Sequence, residues 1–137
     1  LHIVRASAGQ VRKKNPGAKS VGVLSTFGTH RMGMYRNTLK DLGYNVVTPT
    51  DNEFETLISP AIAMNKANKW VEAEDFYARA AQSLVDRGAE ITILGCTEIP
   101  FGMERQTRAN PAKFVDSNDA LVDAVLEFFV KPLTSAH

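Results

Sequence analysis

The sequence contains a single cysteine, Cys96, and only three histidines among its 137 residues. One cysteine cannot form a disulfide within the chain, so a disulfide framework is excluded and a reducing, cytoplasmic location is the expectation. The histidines, at positions 2, 30 and 137, are scattered, and together with the cysteine they lack the spacing of metal ligands. We therefore expect no metal site.

The chain also lacks long apolar runs and a strong net charge. No stretch approaches the roughly 20 apolar residues that a membrane-spanning helix needs. The formal net charge of +1 gives no reason to expect nucleic acid or an anionic membrane as a partner. With 44% hydrophobic and 23% charged residues, the composition is typical of one globular domain.

Short apolar strands alternate with helical segments along the chain. The apolar spacing predicts strands at 20–25, 44–47, 91–94 and 114–115. It also predicts helices at 3–14, 32–42, 51–62, 71–87 and 118–130. Apolar stripes of Met32, Tyr35, Leu39 and Leu42, and of Phe76, Ala80 and Leu84, support two of these helices. The alternation predicts an α/β fold with a parallel sheet flanked by helices.

Local signals refine these boundaries. Asp51 is a plausible helix N-cap, and Pro60 must bend or interrupt the helix that follows. The polar residues 105–111 are expected to form a loop. The basic residues 12–14, with Lys19, are interpreted as a solvated helix end, where cations complement the helix dipole. Residues 1–131 are expected to form the domain, and residues 132–137 a disordered tail after the proline.

Cys96 follows the apolar strand at 91–94 through Gly95. Ligands of open α/β sheets bind beyond the carboxyl ends of such strands, so a thiol there is a candidate catalyst. The alternative is a small buried hydrophobe, the usual state of a free cysteine. Thr97 and Glu98 favour the functional interpretation, because further apolar residues more often follow a core cysteine. If they open a helix, its N–H groups would lower the pKa of the thiol.

A second polar loop, STFGT at residues 25–29, also follows a strand. Its hydroxyls and exposed N–H groups could bind a substrate carboxylate, with Thr26 and Thr29 as candidates. A tight turn with a threonine N-cap is an equal alternative, and the two can coexist. His30 comes next and is interpreted as a surface or capping residue, because no acid partner at a recognisable spacing supports a Cys/His pair. Nothing fits a dinucleotide or phosphate-loop motif.

The heptapeptide LGCTEIP at residues 94–100 resembles the second cysteine motif of the cofactor-independent aspartate/glutamate racemase family. The segment VGVLSTFGT at 21–29 is similar to the strand and glycine loop that open the second half of those enzymes. GAE at 88–90 and FVDS at 114–117 fit in order and spacing, so the resemblance covers most of residues 1–130.

The resemblance implies two pseudo-symmetric α/β halves, each of which supplies one cysteine to a site at their interface. This chain has one cysteine and about half of the expected length, so we expect it to be the C-terminal half of such an enzyme. Its expected partners are the missing N-terminal half or a second chain, in a homo-oligomer. A solitary half would expose an apolar face.

The resemblance also assigns roles to residues. Cys96 would be one of two thiols that remove and return the α-proton of a dicarboxylic amino acid without a cofactor. Thr26, Thr29 and Thr97 would bind the substrate. Lys66 would contact the substrate's side-chain carboxylate. A solvated surface lysine is the alternative for Lys66, because Ala-Asn follows it where the family usually has glycine.

Two neighbours of the cysteine are expected to support its loop, namely Gly95 and Glu98. An anion beside the thiol raises its pKa, so Glu98 is assigned a structural role.

Two other functions stay open. The first is a related lyase or isomerase of the same superfamily, of the arylmalonate decarboxylase or maleate isomerase type. In the decarboxylase, a lone cysteine suffices. The second is a non-catalytic domain that binds a small acid or another subunit. Glu98 after Cys-Thr favours the racemase.

Overall fold

Four parallel strands form the centre of the domain, in the order β2-β1-β3-β4. The computed structural model describes residues 2–135, with side chains as far as Val130. The strands are β1 (Ser20–Leu24), β2 (Asn45–Val47), β3 (Ile91–Leu94) and β4 (Phe114–Asp116). The described part of the chain therefore has the predicted fold class, a parallel sheet flanked by helices.

Helices precede the first strand, lie between successive strands and follow the last strand. They are α1 (Ile3–Lys14), α2 (Phe27–Met32), α3 (Met34–Asp41), α4 (Asp51–Glu53), α5 (Ser59–Lys66), α6 (Trp70–Asp86), α7 (Glu98–Gly102), α8 (Glu104–Ala109) and α9 (Ser117–Ser135). A π-helical turn, Phe54–Ile58, joins α4 to α5, and a 3₁₀ turn, Pro111–Lys113, precedes β4. None of the helices in the part described here is long and apolar enough to cross a membrane.

The register of the sheet aligns the ends of three strands. Leu24 of β1 pairs with Leu94 of β3, and Leu94 pairs in turn with Asp116 of β4. Because all the strands are parallel, the loops that follow these residues leave the same edge of the sheet. This carboxyl edge carries the candidate site.

Each face of the sheet buries its own core. Helices α1, α3 and α9 cover one face, where the buried side chains include Val4, Val11, Val23, Leu39, Ile93 and Val115. The π turn, α5, α6 and α7 cover the other face, where they include Leu24, Phe54, Ile58, Tyr77, Leu94 and Ile99. A near-continuous apolar strand such as β3 is what a sheet buried on both faces requires.

The single helix predicted over residues 32–42 is wrong. Gly33 has φ of 73°, a left-handed conformation that ends α2 and starts α3. The break changes the direction of the helix, so Met32 of the predicted stripe is 78% exposed, whereas Tyr35 and Leu39 are buried. Periodicity alone did not reveal this break.

The N-cap of the next helical segment is Thr50, and the assignment of Asp51 to that position is wrong. Thr50 Oγ1 accepts a hydrogen bond from the N–H of Glu53 at 3.1 Å, and the Thr50 N–H donates to Glu53 Oε1 at 2.9 Å. This reciprocal pair is a capping box. Burial raises the pKa of Glu53, but hydrogen bonds from Arg87 and Thr50 outweigh burial and lower the pKa to about 2.

The irregularity expected at Pro60 is present. The π-helical turn lies directly before α5, and Ser59 N–H donates to Phe54 C=O in an i→i+5 pattern. Pro60 then lies at the start of α5, where its missing N–H is tolerated.

Two boundaries near the C-terminus differ from expectation. Residues 105–109 of the loop expected at 105–111 belong to helix α8, in which Arg108 pairs with Glu104 one turn earlier. Helix α9 continues to Ser135 instead of ending at residue 130, because a proline removes one main-chain hydrogen bond without ending every helix. The predicted tail is thus helical to residue 135, and its last two residues lie outside the described range.

Tyr77 forms the contact that sets the position of α7. Among the predicted stripe of α6, Ala80 and Leu84 are buried but Phe76 is only half-buried, and the neighbouring Tyr77 fills the core instead. The ring of Tyr77 packs on Gly102, where a Cβ atom would lie 2.3 Å from Cε2 of the ring. Only glycine allows α7 to approach α6 this closely.

We expect Gly102→Ala to lower the free energy of unfolding by about 1–3 kcal/mol, because the buried ring would have to move to admit a methyl group. Gly9→Ala is the matched control. Gly9 lies inside α1, and no neighbouring side chain lies within 4 Å of the added methyl. Gly9→Ala should therefore raise the free energy of unfolding by about 0.5–1 kcal/mol, because alanine has the higher helix propensity. Urea denaturation followed by circular dichroism measures both. Equal stabilities of the two variants would contradict the close contact.

Candidate functional site

Two loops leave the carboxyl edge of the sheet side by side. The N–H of Gly95 donates to the C=O of Leu24 at 2.7 Å, which extends the pairing of β1 and β3 beyond the last strand residues. The loop that contains Thr26 and the loop that contains Cys96 therefore begin at adjacent positions. This is the arrangement in which open α/β sheets bind ligands.

Cys96 is half-buried and packs against the core beneath α6 and α7. Its Sγ accepts a hydrogen bond from the main-chain N–H of Ile99 at 3.4 Å. Helix α7 does start at Glu98, as the sequence suggested, so that main-chain N–H groups face the thiol.

The expectation of a lowered pKa for the thiol is wrong. Burial raises the pKa of Cys96. The N–H groups of Ile99 and Glu98 act in the opposite direction, and the carboxylates of Glu98 and Asp116 add to the effect of burial. The charge of Glu98 therefore raises the pKa of the thiol, as the sequence analysis expected when it gave Glu98 a structural role. The protonated thiol is favoured, and the thiolate, once formed, is a stronger base than an exposed one.

Gly95 lets the strand end pass closely over Tyr35. A Cβ atom at Gly95 would lie 3.1 Å from Cε2 of the Tyr35 ring and 3.3 Å from the C=O of Leu24. Ser117 Oγ, at the start of α9, donates a hydrogen bond to the C=O of Leu94 at 2.8 Å. These contacts fix the end of β3 just before Cys96. The sequence predicted Tyr35 only as a core residue and did not single out Ser117.

A buried amide supports the other side of the cysteine loop. Asn65 Nδ2 donates to the hydroxyl of Tyr77 at 3.0 Å and to the C=O of Glu98 at 3.4 Å. Asn65 Oδ1 is buried with no hydrogen-bond partner among the described residues. An unpaired buried carbonyl costs about 1–3 kcal/mol, so stability alone does not account for this amide. Its only sequence signal was a polar residue beside Lys66 on an otherwise apolar helix.

Thr26 and Thr29 form the N-terminal turn of α2. Thr26 Oγ1 accepts from the N–H of Thr29 at 3.2 Å, and the two hydroxyls are 3.1 Å apart. The threonine N-cap, one of the two interpretations left open, is therefore present. Thr29 also lines a cavity of about 10 Å³ with His30 and Arg36, which is too small for more than a water molecule.

Thr97 and Lys66 face different clefts on either side of α7. Thr97 is exposed and lines a cleft of about 640 Å³ whose wall includes Phe101, Arg108 and Asp116. Lys66, at the end of α5, is exposed beside a smaller cleft of about 190 Å³. The residues that line the smaller cleft are Asn65, Lys66, Trp70, Glu98 and Phe101. The fold thus brings Lys66 next to the cysteine loop but on the opposite side from Thr97.

The His30 ring packs against Phe27 and Phe54, with ring centroids 6.2 and 4.7 Å apart respectively. Burial, together with the positive charge of Arg36, lowers the pKa of His30. Within residues 2–135, no three His, Cys, Asp or Glu side chains are grouped so as to hold a metal ion.

Solved structures share this fold. The chain is 27% identical to a candidate Asp/Glu racemase from Yersinia pestis, with a TM-score of 0.73. The alignment covers 93% of this chain and 55% of that one. It is 26% identical to an aspartate racemase homologue from Pyrococcus horikoshii, with a TM-score of 0.68 and the same coverage. For the Picrophilus torridus aspartate racemase the identity is 26%, the TM-score is 0.71, and the coverages are 93% and 51%. The domain is therefore a racemase-like α/β domain, and it spans about half of the length of these structures.

The sequence itself matches the family of Asp/Glu/Hydantoin racemases over residues 1–125. The chain belongs to this family. It is also 27% identical to an uncharacterized protein from the pnlA 3′ region of Pectobacterium carotovorum. The alignment of 116 residues covers 85% of this chain and 77% of that protein.

We expect Cys96 to react with iodoacetamide more slowly at neutral pH than a free small-molecule thiol does. Only the thiolate reacts, and the raised pKa reduces its fraction, so the rate should rise with pH through a midpoint above that of the free thiol. As Cys96 is the only cysteine, mass spectrometry of the intact chain gives the rate directly. A midpoint below that of the free thiol would contradict this prediction.

Proposed function

We propose that this chain supplies one half of the active site of a cofactor-independent amino-acid racemase that acts on aspartate or glutamate, with Cys96 as one of its two acid–base groups. The observation that carries the proposal is the position of the thiol. Cys96 lies at the carboxyl edge of a parallel sheet, beside the hydroxyl-bearing loop at residues 25–29, with main-chain N–H groups directed at its sulfur.

Racemisation requires a base on one face of the α-carbon and an acid on the other. A thiolate at position 96 would remove the weakly acidic α-proton, and a thiol on the opposite face would return a proton. Burial raises the pKa of Cys96 and therefore strengthens its thiolate as a base. Exclusion of water from the closed site would make the transfer easier still.

The substrate contacts follow from the two loops. The N-terminal turn of α2 offers hydroxyls from Thr26 and Thr29, and Thr97 offers a third at the cysteine loop. Lys66 lies beside Glu98 in the cleft of 190 Å³, on the opposite side of α7 from Thr97. We therefore assign its positive charge to the side-chain carboxylate of a dicarboxylic amino acid, the end of the substrate opposite to its α-carboxylate. We assign no cofactor to this chemistry.

The second acid–base group would come from another half-site. The chain has one cysteine and covers 51–55% of the solved structures that it resembles. We propose that an N-terminal half, or a second chain, completes the site and that the assembly is a homo-oligomer. The reduced state that a catalytic thiol needs fits a cytoplasmic location.

The single cysteine also favours a second candidate, a lyase of the arylmalonate decarboxylase type, in which one thiol protonates one face of the product. In that case this chain would act without a second thiol. Turnover of an arylmalonate, with none of aspartate or glutamate, would identify this function. Binding of small dicarboxylic acids without any turnover would instead identify a non-catalytic domain.

Residues 1–137 alone should racemise neither aspartate nor glutamate at a substantial rate, because one face of the α-carbon lacks its acid–base group. Proton NMR in deuterium oxide, with each enantiomer supplied in turn, follows both inversion and exchange of the α-proton. Rapid racemisation by this chain alone would overturn the two-half proposal.

In the two-half assembly, Cys96→Ser should reduce racemisation by at least about 10³-fold while the fold is kept, because a hydroxyl of similar size is a far weaker acid. Aspartate should protect Cys96 from alkylation in the same assembly. Thr56→Ser, at an exposed site on the π turn, is the control that keeps full activity. Undiminished activity of the Cys96 variant would remove the catalytic assignment.

The chain should associate in solution. Phe101 and the α9 residues Leu126, Phe128 and Phe129 are 57–71% exposed. A contiguous apolar surface on a monomer commonly marks a contact with another chain. Sedimentation velocity at several concentrations measures the association. A strictly monomeric species that does not bind a hydrophobic dye would contradict the partner proposal.

A further inference from the structure

The hydrogen bond to the thiol depends on the orientation of α7. Ile99 N–H approaches Cys96 Sγ at 3.4 Å. A hydrogen bond weakens steeply as its angle departs from linear. The N–H of Glu98 also contributes to stabilising the thiolate. A tilt of the first turn of α7 would weaken both contacts together.

Helix α7 cannot hold this orientation by itself. It has five residues, includes Pro100, and has no side-chain hydrogen bond at its N-cap, Thr97. Helices of this length are not stable in isolation, so neighbouring elements must set the position of α7.

Two neighbours hold the two ends of α7. At the first end, Asn65 Nδ2 of α5 donates to the C=O of Glu98. At the other end, the Tyr77 ring of α6 packs on Gly102. The hydrogen bond from Asn65 Nδ2 to the Tyr77 hydroxyl joins these two supports into one unit. Tyr77 stays a neutral hydroxyl, because burial raises its pKa.

We propose that Asn65 is a positioning residue for Cys96: through the C=O of Glu98 it holds the first turn of α7 so that main-chain N–H groups meet the sulfur, and Tyr77 fixes the orientation of its amide. The unpaired Oδ1 of Asn65 supports a role other than stability. The consequence for catalysis rests on the proposed function, whereas the effect on the thiol does not.

The test is the pH dependence of iodoacetamide labelling of Cys96 in the intact chain. Asn65→Leu keeps the approximate size of the side chain and removes both hydrogen bonds. We expect its labelling midpoint to rise by about 0.5–1 pH unit, which is a three- to tenfold lower rate at neutral pH. Tyr77→Phe keeps the ring and removes only the hydroxyl, and a smaller rise of about 0.3 unit is expected.

Matched variants elsewhere control for the loss of the same groups. Tyr44→Phe removes a hydroxyl from a half-buried tyrosine on the opposite face of the sheet, and Asn52→Leu removes an exposed amide from α4. Both should keep the midpoint of the original chain. Circular dichroism and the unfolding midpoint show whether each variant is folded.

The proposal is overturned if folded Asn65→Leu and Tyr77→Phe titrate as the two controls do. If Asn65→Leu does not fold, Tyr77→Phe alone decides, and an unshifted midpoint in it overturns the proposal. Labelling of the thiol requires no substrate. A shifted midpoint together with absent racemisation by the two-half assembly would therefore reject the proposed function and leave the positioning role standing. An unshifted midpoint together with racemisation by that assembly would reject the positioning role and leave the proposed function standing.

Discussion

The parallel pairing of β1, β3 and β4 is the constraint on which the rest of the site depends. In a parallel sheet, the chain must return through a crossover before each new strand, so every strand ends at the same edge. The register puts Leu24, Leu94 and Asp116 in one row at that edge. A slip of one residue would turn the side chains of β3 to the opposite faces and move the cysteine loop with them.

The thiol at this edge is held between opposing influences. Burial and the carboxylates of Glu98 and Asp116 favour the protonated form, whereas two main-chain N–H groups favour the thiolate. Under the proposed function, this combination suits a group that must both accept and release a proton.

The residues around Cys96 include several features that lower stability but fix the geometry of the cysteine loop. Gly102 is required for the close approach to Tyr77, Gly95 fits tightly over Tyr35, and Asn65 buries a carbonyl oxygen without a hydrogen-bond partner among the described residues. Natural proteins break local rules of this kind mostly where function requires it. Here the departures surround one loop, which is itself too short to keep its own shape.

Much of the fold could be predicted from local patterns. The bounds of α1 and β3 were read correctly, because apolar spacing and the flanking breakers agree in those segments. The break at Gly33 and the helix at 104–109 were missed. The left-handed conformation of Gly33 breaks the first segment, and the ion pair between Glu104 and Arg108 supports a helix in the second. Neither feature alters the apolar pattern of the sequence.

The candidate site divides in the same way. The sequence by itself determined that a cysteine and a threonine loop follow two buried strands, because strand ends are marked by composition and by glycine. Only the tertiary structure decided which groups surround the thiol, since Asn65, Tyr77 and Ser117 come from distant segments of the chain. It also decided the direction of the pKa shift of Cys96. Burial depends on how α6 and α7 pack over the sheet, and no local pattern carries that information.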